Sequence, residues 1–123
     1  MTISQAISAL DSYKPNTYTQ DEKISWLSAM DGMIKLNVID THEDGENVEF
    51  TGYDGETDTD TELLVGAPYE ELYILWMAAK ADFYNEEYDK YNNTITRFND
   101  LYQDFANYYN RTHMSKGTAF KYF

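Results

Sequence analysis

From Tyr88 to Tyr109 the chain places Tyr88, Tyr91, Ile95, Phe98, Tyr102, Phe105 and Tyr109 at gaps of three and four in strict alternation. That spacing puts all seven on one side of an α-helix. Asp89, Lys90, Asn92, Asn93, Arg97, Asn99, Asp100, Gln103 and Asp104 fall between them. The pattern predicts a long amphipathic helix, roughly 35 Å at about 1.5 Å per residue. Four of the seven stripe residues are tyrosine. A tyrosine buries its ring but needs a partner for its hydroxyl, so the stripe suits a half-wet surface. It speaks for helix packing and for an assembly interface.

The rest of the chain reads by the same period. Thr2 caps a short helix with Ile3, Ala6, Ile7 and Leu10 on one face, and Lys14-Pro15-Asn16 ends it, because the residue before proline avoids the helical region. Thr19 and Glu22 match a capping box. Ile24, Leu27, Met30 and Ile34 follow at helical spacing, with Trp26 and Met33 beside them, and predict a second helix from Gln20 to about Leu36. Val48 to Tyr53 alternates weakly, Asp54-Gly55 is a tight-turn signal, and Glu62 to Val65 is a short apolar run. A minor β-hairpin or an extended acidic loop satisfies that segment. Gly66-Ala67-Pro68 breaks the chain, and Pro68 suits a first helical turn. Tyr69, Leu72, Trp76, Ala79 and Phe83 repeat the three-four spacing, broadened by Leu75 and Met77. The next stripe begins five residues after Phe83, so the phase breaks near Asn85 and Glu86 and two helices are expected. Three apolar faces of compatible length predict that the Tyr88–Tyr109 stripe packs against both Tyr69–Phe83 and the second helix. The expected fold is mainly α: a small helical bundle over residues 1–113 with a long C-terminal amphipathic helix, then a tail, 114–123.

Charge divides the chain unevenly. The net charge is −13, and residues 41 to 66 hold nine acids (Glu43, Asp44, Glu46, Glu49, Asp54, Glu56, Asp58, Asp60, Glu62) with no Lys or Arg. Nine acids without a counter-charge give little to bury, so a solvated loop is expected. After Asp104 there is no acid, while Arg111, Lys116 and Lys121 remain. Such polarity suits self-association of unlike ends in a head-to-tail ring. Duplex DNA binding through a basic face is disfavoured, because counterion release needs clustered Lys and Arg. No stretch approaches the ~20 apolar residues of a membrane span. The N-terminus shows no basic region before an apolar run, so no signal peptide is expected. The sequons Asn92-Asn93-Thr94 and Asn110-Arg111-Thr112 then read as chance matches.

Candidate chemistry is sparse. Asp54, Glu56, Asp58, Asp60 and Glu62 suggest a calcium loop, but the sixth and twelfth positions from Asp54 hold Thr59 and Val65, where that loop needs Gly and Glu. With no cysteine and only His42 and His113, a zinc or iron site would have to lean on carboxylates and is not expected. No carboxylate pair is singled out by a nearby His, Ser or glycine-rich turn. No catalytic, cofactor or metal residue is therefore assigned, and the chain is not expected to be an enzyme. Arg111 and His113 suit the negative C-terminus of the long helix. The candidate interface residues are Phe120, Tyr122, Phe123, Lys116, Lys121 and Arg111, since a free tail does not need three aromatics in its last four residues.

The run Leu64-Val65-Gly66-Ala67-Pro68-Tyr69-Glu70-Glu71-Leu72-Tyr73, with Tyr88-Asp89-Lys90-Tyr91-Asn92-Asn93, Phe98-Asn99 and Tyr109-Asn110-Arg111-Thr112-His113, resembles the head–tail connector (adaptor) proteins of tailed bacteriophages and prophages of Gram-positive bacteria. The resemblance implies a structural virion protein made in the host cytoplasm and placed at the head–tail junction. It implies a mostly helical subunit that assembles, usually as a dodecamer, into a ring beneath the portal protein. Such a ring receives the stopper or tail-completion protein and extends a channel through which DNA passes without sequence-specific binding. The family brings no catalytic residue and no cofactor. The alternative from charge alone is an acidic DNA-mimic inhibitor, a helical protein occupying the DNA site of a nuclease or repressor.

Overall fold

The structure, a computed structural model, describes residues 1–116. Four helices follow one another: α1 (Ile3–Tyr13), α2 (Gln20–Asn37), α3 (Glu71–Tyr84) and α4 (Tyr88–Thr112). The fold is mainly α, a small helical bundle whose long last helix is the amphipathic one expected. At α1 the Thr2 hydroxyl accepts from the Gln5 N–H at 3.1 Å, and the Gln5 side chain accepts from the Thr2 N–H at 2.9 Å. That reciprocal pair satisfies two of the helix's free donors. At α2 the Thr19 hydroxyl accepts from Glu22 N–H at 3.1 Å. The complete box thus falls at Thr2 and Gln5, and at Thr19 only the hydroxyl arm of the expected box caps the helix.

α3 is the central element. It touches α1, α2 and α4, and α4 packs on α3 rather than on α2. The expected two-sided packing of the α4 stripe is therefore corrected: one helix takes nearly all of it. The reason is visible along α3, where Leu72, Tyr73, Leu75, Met77, Ala78, Ala79 and Ala81 are all buried. From Leu72 to Asp82 the helix is covered on nearly every side, which keeps α4 from α2. Phe98 and Phe105 are the deepest residues of the α4 stripe, Ile95, Tyr102 and Tyr109 pack partly buried against the core, and Tyr88 stands exposed. α3 begins at Glu71, so Pro68 lies in the turn before it, after a cis Ala67–Pro68 bond.

The segment between α2 and α3 contains no strand among the described residues. It holds two single 3-10 turns, Ile39–Thr41 and Gly45–Asn47, and two isolated bridges, Thr2 with Glu62 and His42 with Ser115. Of the two sequence expectations, the extended acidic loop is the one formed. The loop is nevertheless tied down along its length. Ile3 and Ser4 N–H groups donate to the carbonyls of Thr61 and Thr59, Leu63 N–H donates to Met1, and Tyr53 N–H donates to the Ser28 hydroxyl at 3.0 Å. Leu63 and Val65 are buried. The acids stay outside while every few residues a backbone group or an apolar side chain reaches the bundle.

Candidate assembly surface

The sharpest local geometry lies where α3 turns into α4. Glu86 has φ 60°, the left-handed conformation, and follows the helix cap Asn85. Glu86 N–H donates to Phe83 O at 3.1 Å and Glu87 N–H donates to Asp82 O at 2.9 Å. This is a Schellman closure with glutamate where glycine is usual. It reverses the chain within a few residues and sets α4 antiparallel against α3. Below the turn Asp82 is buried, with Lys14 Nζ 2.6 Å from its Oδ1 and the Thr94 hydroxyl donating to Oδ2 at 3.3 Å. The Lys14 contact is ionic and lies off the hydrogen-bond direction, so Oδ1 has charge compensation without a directed donor. It joins the end of α1 to both helices of the hairpin.

Around this turn the aromatic residues come to the surface. Phe83 is 48% exposed, Tyr84 55% and Tyr88 53%. The Phe83 ring meets Tyr84, Tyr88 and Tyr91 at centroid distances of 5.7, 6.0 and 5.5 Å. Tyr84 stacks on Trp26 of α2 at 6.1 Å, and Tyr18 meets Trp26 edge-on at 5.2 Å. A groove of about 160 Å³ opens between the helices, lined by Trp76, Ala79, Lys80, Phe83, Tyr84, Tyr91 and Ile95. Its floor is rigid: the Trp76 indole N–H donates to the Trp26 carbonyl at 2.9 Å, and Lys80 Nζ sits 4.9 Å above the Trp76 ring. A patch of adjacent half-exposed rings on a fixed hairpin is the kind of surface that marks association.

The opposite end of α4 is closed against the loop. His42 is buried, its Nδ1 2.6 Å from the Val38 carbonyl and its Nε2 2.9 Å from Asn110 Oδ1. Tyr109 meets His42 edge-on at 4.7 Å, and His113 lies flat on Tyr109 at 3.7 Å. His113 Nδ1 is 3.2 Å from the Tyr109 carbonyl, the helix-end contact expected of it, while Nε2 lies 3.7 Å from Asp44 Oδ2. Burial first, and then the charge of Asp44, push the Tyr109 hydroxyl above its ordinary pKa. The chain then runs beside residues 41–43: Glu43 N–H donates to Met114 O at 2.8 Å and Lys116 N–H donates to Thr41 O at 3.0 Å.

The interface residues expected from sequence therefore divide. Arg111 lies exposed in the last turn of α4, and Lys116 is exposed with its backbone held by Thr41. Phe120, Lys121, Tyr122 and Phe123 lie outside the described residues. The sequence pattern puts Phe83 and Tyr88 on two separate helix stripes and does not join them with Tyr84 as one surface, although the phase break after Phe83 leaves aromatics on both sides of a turn with no common buried face. Among the described residues no group of His, Asp and Glu side chains is placed to hold a metal ion, and no helix is long and apolar enough to cross a membrane. No family model matches the chain, and neither a curated protein nor a solved structure matches it.

Proposed function

We propose that this chain is a structural subunit of the head–tail junction of a tailed bacteriophage or prophage, forming a ring that joins the portal to the stopper or tail-completion protein and extends the DNA channel. The observation that supports it best is the pair of unlike ends on one rigid hairpin. Half-exposed aromatics gather at the α3–α4 turn, and basic, acid-free sequence leads away from the far end of α4. Unlike ends favour heterologous contacts, and a heterologous contact that closes makes a ring. The sequence resemblance over residues 64 to 113 points the same way. Exposed carboxylates between residues 43 and 62 suit a channel lining, because a wall that repels DNA lets it slide. A DNA mimic asks for carboxylates spread over a broad face like phosphates. Here Asp54, Glu56, Asp58, Asp60 and Glu62 project from one loop.

The test is light scattering on the purified chain alone and mixed with purified rings of a tailed-phage portal protein. Oligomers of the chain, or saturable decoration of the portal ring seen by electron microscopy, are expected. A monomer at every concentration that leaves portal rings bare overturns the proposal.

A further inference from the structure

We infer that the aromatic groove between α3 and α4 receives the Phe120–Phe123 segment of a second copy of this chain. The inference deepens the assembly reading above and rests on it only in that copies must meet. Geometry decides between the molecule's own tail and another's. Lys116, the last described residue, is held beside Thr41, and neighbouring His42 sits against Asn110, so Lys116 lies at the C-terminal end of α4. The groove is built on Phe83, Tyr84 and Tyr91, at the other end. From Asn110 back to Tyr91 the helix rises about 28 Å at 1.5 Å per residue. Phe120 is four residues beyond Lys116 and Phe123 seven. Fully extended, they reach only about 14 and 25 Å. Phe120 stops well short of the groove and only Phe123, at full extension, reaches its near edge at Ile95, about 22 Å back from Asn110. One copy cannot lay all three rings in its own groove, and the tail of a neighbour meets no such limit.

Chemistry decides what suits the groove. Its walls are aromatic and aliphatic, with Lys80 already stacked on Trp76. Half-exposed aromatic pockets take aromatic anchors, which concentrate binding energy in a few residues. Phe120, Tyr122 and Phe123 are three such anchors in four residues. Lys121 lies between them in sequence, and Glu86 and Asp89, exposed at the α3–α4 turn, offer it opposite charge. The basic tail and the acidic body also attract at long range, in a chain of net charge −13. A second groove, of about 370 Å³ and lined by Glu49, Phe50, Tyr53, Glu62 and Leu64 among others, lies on the loop side of α2. It is the competing seat.

The test places a photo-reactive benzoylphenylalanine at Tyr122 in the full-length chain. Isotopically heavy and light copies are mixed and irradiated, and the products are mapped by mass spectrometry. Heavy–light cross-links to residues between Trp76 and Ile95 are expected. Phe83→Glu in the acceptor copy should reduce their yield at least about fivefold with the melting temperature nearly unchanged, since Phe83 is half exposed. Links within one copy, or to the Phe50–Tyr53 groove, overturn the inference. Oligomers without links to the α3–α4 groove overturn this seat and leave the assembly reading standing. A chain that stays monomeric, yields no heavy–light link and ignores portal rings overturns both.

Discussion

The Tyr73 hydroxyl donates to Asp31 Oδ1 at 2.6 Å and accepts from the Val65 N–H at 2.8 Å. Both residues are fully buried, Tyr73 on α3 and Asp31 on α2. The other carboxylate oxygen accepts from the Tyr53 hydroxyl at 2.6 Å and from the Leu64 N–H at 3.1 Å. One carboxylate thus holds two helices and two points of the acidic loop together. Leaving such an acceptor out strands its donors, which costs more than the hydrogen bonds contribute.

Asp31→Ala should therefore destabilise the fold by about 3 kcal/mol, from stranded donors at Tyr73 and Leu64. Urea denaturation measures it. Hydrogen exchange should show the Leu64 and Val65 amides opening with the loop. A variant as stable as the parent would mean that water replaces Asp31 without loss.

The same group sets a pH dependence. Burial raises the Asp31 pKa above its ordinary 3.8, against the lowering effect of hydrogen bonds from Tyr53, Tyr73 and Leu64. A raised pKa means that the folded chain holds this proton more tightly than the unfolded one. The contribution is fully present below the ordinary value and is lost as pH rises through the raised one. The stability of the parent minus that of Asp31→Asn should therefore fall as pH rises above about 4 and level off once pH has passed the raised value. A difference that grows with pH over that range would reverse the sign and contradict it.

Phe98 is 5% exposed and tilts against Trp76 at 5.4 Å and Tyr102 at 5.7 Å. Phe98→Ala should cost about 3–5 kcal/mol through the cavity it leaves between α3 and α4. Phe83→Ala on the same hairpin, half exposed, should cost less than about 1 kcal/mol. Thermal melts of both separate the packed part of the aromatic system from the displayed part. Equal losses would place Phe83 in the core.

Glu86 occupies the left-handed closing position of α3, and its side chain is exposed. A left-handed L-residue costs about 1–2 kcal/mol, of which glycine's greater freedom in the unfolded chain returns part. Glu86→Gly should stabilise the chain by about 0.5–1 kcal/mol. Calorimetry at neutral pH reads the gain, and a loss would show that the Glu86 side chain holds the turn.

Helix positions were legible in the sequence because each helix except α3 has one buried stripe, and a stripe leaves a period. Ile3, Ala6, Ile7 and Leu10 appear in α1, and Ile24, Leu27, Met30 and Ile34 in α2, and all are buried as the spacing predicts. The phase break at Asn85 and Glu86 announced the turn, and the acid-rich composition of residues 41 to 66 announced a loop. Tertiary structure alone decided the rest. α3 is covered on nearly every side from Leu72 to Asp82, so Tyr73 and Ala81 lie in the core without belonging to the Tyr69–Phe83 stripe. Asp31 falls in register between Leu27 and Ile34, a hint that a carboxylate enters the core, but its donors come from residues 53, 64 and 73. No local pattern encodes those pairings, because they arise only when distant segments meet. The same holds for the α3–α4 groove. Spacing along one helix can show which rings share a face, whereas how far each is covered depends on the helix that arrives beside it.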